Sequence, residues 1–172
     1  MSNIILKGST SGDVTISVPA EAGSNTLSIP AVTSSVNVLG PAFSAHGPAQ
    51  TIGNATWTKL TYDTEEFDTD GKFASNKFTP TVAGYYHITG ALYYGATSGA
   101  CVLVIYKNGA QVKRGSQGNG LSGMGMSANI AATVYLDSDD YIELYTYQNT
   151  GGNTNTSGGA DLKYFQAIYI RS

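Results

Sequence analysis

Apolar and polar residues alternate with a period of two in segment after segment of this chain, the spacing of a β-strand with one face buried. Tyr141, Glu143, Tyr145 and Tyr147 alternate with Ile142, Leu144 and Thr146, which puts one set in a core and presents the other at a surface or a subunit contact. From Pro41 onward, strands are predicted at about 42–46, 56–62, 65–68, 76–79, 84–94, 100–106, 110–114, 127–136, 140–148 and 162–170, each bounded by Gly, Asn, Asp or Pro. Ten strands in one such stretch fit a jelly-roll sandwich. Lys107-Asn108-Gly109-Ala110 carries the Asn-Gly pair favoured in a tight type I′ hairpin. Residues 115–125 and 149–161 are rich in Gly, Ser, Asn and Thr, a composition that cannot support a core. They are predicted as exposed loops, with Asn119, Asn149, Asn153 and Asn155 as candidate recognition residues.

The pattern changes before residue 41. Residues 1–40 hold no aromatic side chain and contain a short repeat, Thr15-Ile16-Ser17-Val18-Pro19-Ala20 and Thr26-Leu27-Ser28-Ile29-Pro30-Ala31. Each copy reads as a four-residue strand stopped by Pro, with 21–25 as the turn between them. An isolated hairpin is marginal in water, so these strands need another surface, and Ile16, Val18, Leu27 and Ile29 are the candidate anchor residues. Two parts are therefore expected: a β-hairpin arm over 1–40 and a sandwich domain over 41–172.

Composition agrees. Gly (21) and Tyr (12) are abundant and only 12% of the 172 residues are charged, which suits strands and turns and not helices. The net charge of −3 and the absence of a Lys/Arg cluster remove the footprint that nucleic-acid binding needs. Ile4-Ile5-Leu6 is far too short for a signal peptide or a membrane span, so neither secretion nor membrane insertion is expected. Cys101 is the only cysteine and precedes the apolar run 102–106; it is expected to pack as a small hydrophobe.

No catalytic constellation is found. His46 and His87, the only histidines, lack HxH or HxxxH spacing, no nucleophile elbow is present, and a Cys in an apolar strand is the opposite of a reactive thiolate's setting. The carboxylates gather in two places, Asp63, Glu65, Glu66, Asp68 and Asp70, and Asp137, Asp139 and Asp140. Neither follows the EF-hand order. They are read as solvated turns, with no cofactor, catalytic residue or metal ligand expected and calcium as the alternative.

Tyr62, Asp68, Phe73 and Phe78, followed by Gly84-x-Tyr86-x-Ile88, resemble the signature of the C1q-like domain, the trimeric jelly roll related to the tumour necrosis factor fold. Ala42-Phe43-Ser44-Ala45 looks like its opening strand. The resemblance implies a homotrimer in which aromatic residues of the inner sheet meet near the threefold axis, with Tyr85, Tyr86, Tyr93, Tyr94, Tyr145 and Tyr147 as candidates. Residues 6–31 are similar to the leader of many tailed-phage structural and fibre proteins. Together these imply a phage virion structural protein, assembled in the host cytoplasm and carried on the particle exterior. The favoured role is a homotrimeric capsid decoration or cement protein contacting the major capsid protein or another virion protein. The alternative is a short fibre or tail tip whose loops bind a host-surface glycan or protein.

Overall fold

The computed structural model describes residues 4–7, 10–16, 40–95, 98–121 and 124–172, and the chain divides into two compact units, Met1–Val36 and Asn37–Ser172. In the first unit, β1 (Ile4–Lys7) pairs antiparallel with β2 (Asp13–Ile16), Ile4 opposite Ile16. The hairpin read from the sequence, 15–18 with 26–29, falls largely outside the described residues. The apolar run Ile4-Ile5-Leu6, which the sequence reading did not place in a strand, forms β1, while Val18, Leu27 and Ile29 lie outside the described residues.

The second unit is a two-layer β-sandwich. Its strands are β3 (Ala42–His46), β4 (Thr51–Ile52), β5 (Thr58–Lys59), β6 (Thr64–Asp68), β7 (Phe73–Ala74), β8 (Lys77–Phe78), β9 (Gly84–Tyr94), β10 (Gly99–Lys107), β11 (Ala110–Gly120), β12 (Met126–Leu136), β13 (Ile142–Gln148), β14 (Thr154–Asn155) and β15 (Lys163–Arg171). One layer is the five-stranded sheet β12-β9-β15-β3-β6 and the other runs β11-β10-β13-β8-β7, with β5 also on β13; β4 and β14 form a small ribbon. All pairings are antiparallel.

Thirteen strands stand among the described residues of this unit where ten were predicted. β4, β7 and β14 are two-residue pairings, too short to show a period. The larger correction is at 115–120, which was read as the start of a loop and is the second half of β11. Its glycines have a packing reason. A Cβ at Gly115 would strike the carbonyl of Asn129, and one at Gly118 that of Ser127. Only glycine lets β11 come this close to β12 and close the side of the sandwich. The predicted hairpin turn is present: Asn108 and Gly109 both have positive φ, 52° and 80°, as type I′ requires.

The interior is filled from both layers by alternate residues, among them Ile88, Leu92, Ala128 and Ile130 from one sheet and Leu103, Ile105, Ile142 and Leu144 from the other. At one end an aromatic cluster forms. Phe43 stacks on Phe73 and Phe78 with centroids 4.8 and 4.5 Å apart and meets Phe165 edge-on at 4.8 Å. Tyr62 packs against Phe73 and Phe165.

Lys163 is an exception in this interior. It is fully buried, its Nζ donating to the Pro48 carbonyl at 2.9 Å and to Gln50 Oε1 at 3.1 Å, above the Tyr62 ring. Burial pushes its pKa down to about 8, against the opposing pull of Asp63. The unfolded chain keeps this proton up to about pH 10.4. Between the two values the folded state binds fewer protons, so stability rises with pH through this window and the full penalty applies below pH 8. Cys101, whose thiol burial pushes to about 11, acts in the opposite sense above pH 9. Comparison with Lys163→Met isolates the lysine. From pH 7.5 to 9.5, urea titrations are expected to show the parent gaining on the order of 1–2 kcal/mol relative to the variant, and parallel curves would refute the assignment.

Candidate functional site

The exposed face of the five-stranded sheet carries a cluster of large apolar side chains. Along β15, Ile168 and Ile170 point out and are 54% and 41% exposed, alternating with Ala167 and Tyr169, which face the core. Tyr135 of β12 lies opposite Tyr85 of β9, which in turn lies opposite Arg171 of β15. The two tyrosine rings meet edge-on at 5.4 Å, and the Arg171 guanidinium stands 5.7 Å from the centroid of Tyr85. The next row is Thr133, His87, Ile168 and Ala42, and the one after it Ala131, Thr89, Gln166 and Ser44. This last row is tied together: Gln166 Nε2 donates to Ser44 Oγ at 3.0 Å, Ser44 donates on to Glu66, and Thr89 donates to Gln166 Oε1 at 3.1 Å. The result is a rigid face with an aliphatic and aromatic end and a hydrogen-bonded polar middle.

No protein-family model and no curated protein sequence matches the chain. Solved structures do. Murine APRIL superposes with a TM-score of 0.61 at 11% identity, covering 76% of this chain and 99% of that one. The globular domain of zebrafish complement 1qA gives 0.57 at 16% identity, with 77% and 99% covered. The tumour necrosis factor Eiger of S. frugiperda gives 0.55 at 13%, with 78% and 95% covered. The fold is the tumour necrosis factor and C1q jelly roll. At these identities the likeness concerns the fold alone.

Within this jelly roll the six candidate contact tyrosines fall into three groups. Tyr86 and Tyr94 are fully buried in the chain's own core. Tyr86 donates to the Val82 carbonyl at 2.6 Å and Tyr94 hydrogen-bonds Thr146 at 3.0 Å, and burial raises both hydroxyl pKa values. Neither ring is free to meet another copy, a correction that follows from the strand's own alternation. Tyr85 and Tyr93 are the outward residues of β9, Tyr85 exposed and Tyr93 half-buried. Tyr145 and Tyr147 belong to the opposite sheet and face away from the five-stranded one. Tyr135, Ile168 and Ile170 complete the exposed face, and the period-two pattern of 127–136 and 162–170 was the signal for them.

The candidate loop asparagines are largely engaged within the chain. Asn149 Oδ1 accepts from the Ala100 amide at 2.7 Å, Asn153 Oδ1 from the Asn54 amide at 3.4 Å and Asn155 Oδ1 from the Thr51 hydroxyl at 2.8 Å. These bonds fold 149–161 back onto the sandwich instead of leaving it an open loop. Asn119 sits on β11 and accepts from Gln117 at 3.3 Å. At the adjoining tip, Leu121 and Met124 are 68% and 62% exposed.

The carboxylates act as turn acceptors. Asp68 takes the amides of Phe73 and Asp70. Asp140 takes the Asp137 amide and Asn108, and pairs with Lys107. Burial works against its charge, but Lys107 and these donors outweigh it and hold the carboxyl below its ordinary pKa. Among the described residues no three His, Cys, Asp or Glu side chains gather as a metal site. His46 and His87 are kept apart by β15 and four residues of its register. Cys101 is buried and unpaired.

Proposed function

We propose that three copies of this jelly roll associate through the exposed face of the five-stranded sheet, and that the trimer is a non-enzymatic structural protein on the exterior of a phage particle. The observation that carries the trimer is the cluster Tyr85, Tyr135, Ile168 and Ile170. Four large apolar side chains, each at least 41% exposed, on two adjoining strand pairs of one rigid sheet are the composition of an interface core and not of a solvated face. The sequence resemblance supports the trimeric state, and the leader supports the virion role. Capsid decoration is the favoured role, with the residues 1–40 making the attachment to the major capsid protein or another virion protein. The alternative, a short fibre or tail tip, is favoured by the aromatic outer face described in the next subsection.

Particles lacking the protein separate the two roles. In the decoration role they are expected to break at lower temperature or milder osmotic shock yet adsorb to cells as before, because binding only the assembled shell stabilises it by mass action. The chain without residues 1–40 is expected to fold and to fail to restore that stability. Fully stable particles that cannot adsorb would overturn decoration in favour of recognition.

A further inference from the structure

The outward face of the other sheet carries an aromatic strip of different character. Tyr141, Glu143, Tyr145 and Tyr147 point away from the core, opposite in sense to the buried Ile142, Leu144 and Thr146. Trp57 lies against Tyr147 at 5.2 Å, and Tyr106 stacks on Tyr145 at 4.1 Å with planes 17° apart. Lys77 caps the Tyr141 ring at 4.5 Å. Cross-strand register brings polar groups into the same rows, since Val102 pairs with both Tyr147 and Gln117, and Val104 with both Tyr145 and Arg114. Val102 and Val104 are buried at 2% and 0%, although they alternate with the core residues Cys101, Leu103 and Ile105. The side chains of this face therefore cover them, and the rings rest on a packed floor. Arg114 donates to Gln117 at 3.3 Å and Gln117 to Asn119 at 3.3 Å, forming a line of planar donors and acceptors beside the rings. Among the described residues, the Trp57 indole nitrogen and the hydroxyls of Tyr106, Tyr145 and Tyr147 make no hydrogen bond within the chain.

We infer that this face is a binding platform for a neutral oligosaccharide, with Trp57 and Tyr147 as the stacking residues and Arg114, Gln117 and Asn119 as the hydrogen-bonding edge. A sugar ring offers an apolar face of C–H groups and a rim of hydroxyls. It therefore matches a surface whose rings lie next to planar amide and guanidinium groups that both donate and accept. A protein partner demands something else. Its interface core is built on aliphatic and aromatic burial, as on the five-stranded face with Ile168 and Ile170, whereas every exposed ring in the outer rows has a polar handle, the aliphatic Val102 and Val104 of those rows are covered, and the exposed Val112 stands on the edge strand β11. The charges also suit a neutral ligand, since Lys59 is paired with Glu143 and Lys77 with the Tyr141 ring, and Arg114, turned onto Gln117, is a single cation and not an anion-binding cluster. This inference stands on the outer face of one chain and does not rest on the trimer.

Trp57 is the only tryptophan, so its fluorescence reports this site alone. Cellohexaose, maltohexaose and chitohexaose are titrated into the full-length protein. At least one is expected to shift Trp57 emission saturably, with calorimetry giving the same affinity. Tyr147→Ala and Trp57→Ala are each expected to weaken that affinity about tenfold, which equals about 1.4 kcal/mol, with Gln117→Ala, on the exposed strand β11, weakening it less. Trp57 is partly exposed, so its variant is expected to keep the parent's circular dichroism; were it to misfold, Gln117→Ala carries the test. No saturable binding of any of the three at millimolar concentration would overturn the platform, as would binding unchanged in the variants. A drop in oligomer order with Trp57→Ala and no sugar binding would overturn it in favour of a second copy as occupant. Sedimentation of the same samples reports the trimer separately.

Discussion

Ile168→Asp is expected to yield a folded monomer of 17.9 kDa where the parent is expected to sediment as the proposed trimer. In the single chain Ile168 is 54% exposed, so a carboxylate there keeps its water and the sandwich is barely affected; surface changes of this kind alter stability by about 0.5 kcal/mol or less. In the proposed trimer the same position, between His87 and Ala42 in the register of the sheet, would be buried in the contact. Closed symmetry brings the substitution in three times, and each buried, unpaired carboxylate costs several kcal/mol. The association constant should therefore fall by many orders of magnitude while circular dichroism and the unfolding midpoint of the monomer stay close to the parent's. Tyr85→Ala, which removes area without adding charge, should give a concentration-dependent mixture. A variant that still sediments as a trimer at micromolar concentration would remove this face from the assembly.

How much of this was legible in the sequence depends on how many residues each feature occupies. Long strands with uninterrupted alternation were placed within a few residues, as β9, β12, β13 and β15 show. The Asn108-Gly109 turn was legible because its backbone conformation demands those residue types. β11 was cut short because glycines that permit a close approach to β12 have the same composition as glycines that form a flexible loop; only the neighbouring strand distinguishes them. The site was read in part. Tyr85, Tyr86, Tyr93 and Tyr94 were grouped as contact candidates on residue type, although the alternation of the strand puts only Tyr85 and Tyr93 outward and turns Tyr86 and Tyr94 inside. Tyr145 and Tyr147 were assigned to the wrong sheet because strand order is a long-range property that periodicity does not encode. Ile168 and Ile170 are marked only by the alternation of their strand, which does not say what the outward face meets, and Trp57 joins the strip only through its contact with Tyr147, ninety residues away in sequence.

The residues that carried the family resemblance have a physical basis, and Phe43→Ala tests it. Tyr62, Phe73 and Phe78 converge on Phe43 and Phe165 at one end of the sandwich, and Tyr86 joins through Phe78 at 5.8 Å. Asp68 holds the turn that delivers Phe73, its Oδ2 accepting the Phe73 amide at 2.6 Å. The motif is therefore the inventory of one cluster that fastens the short strands β7 and β8 to β3 and β15, across both layers. Phe43 is its hub, with two stacked neighbours and one edge-on, and no exposure. Truncation removes a full ring from a site whose neighbours are themselves rigid aromatics, so the cavity collapses poorly. The expected loss is about 3–5 kcal/mol, with about 0.5–1.5 kcal/mol more for each aromatic pair broken, against a total stability of about 5–15 kcal/mol for a domain. Urea titration should show the midpoint falling by a third or more, or no folded protein at 37 °C. Phe43→Leu keeps most of the volume and should recover more than half of the loss. If Phe43→Ala cost no more than a surface substitution, the cluster would not be what holds β7 and β8 in place, and the residues shared with the C1q-like signature would need another explanation.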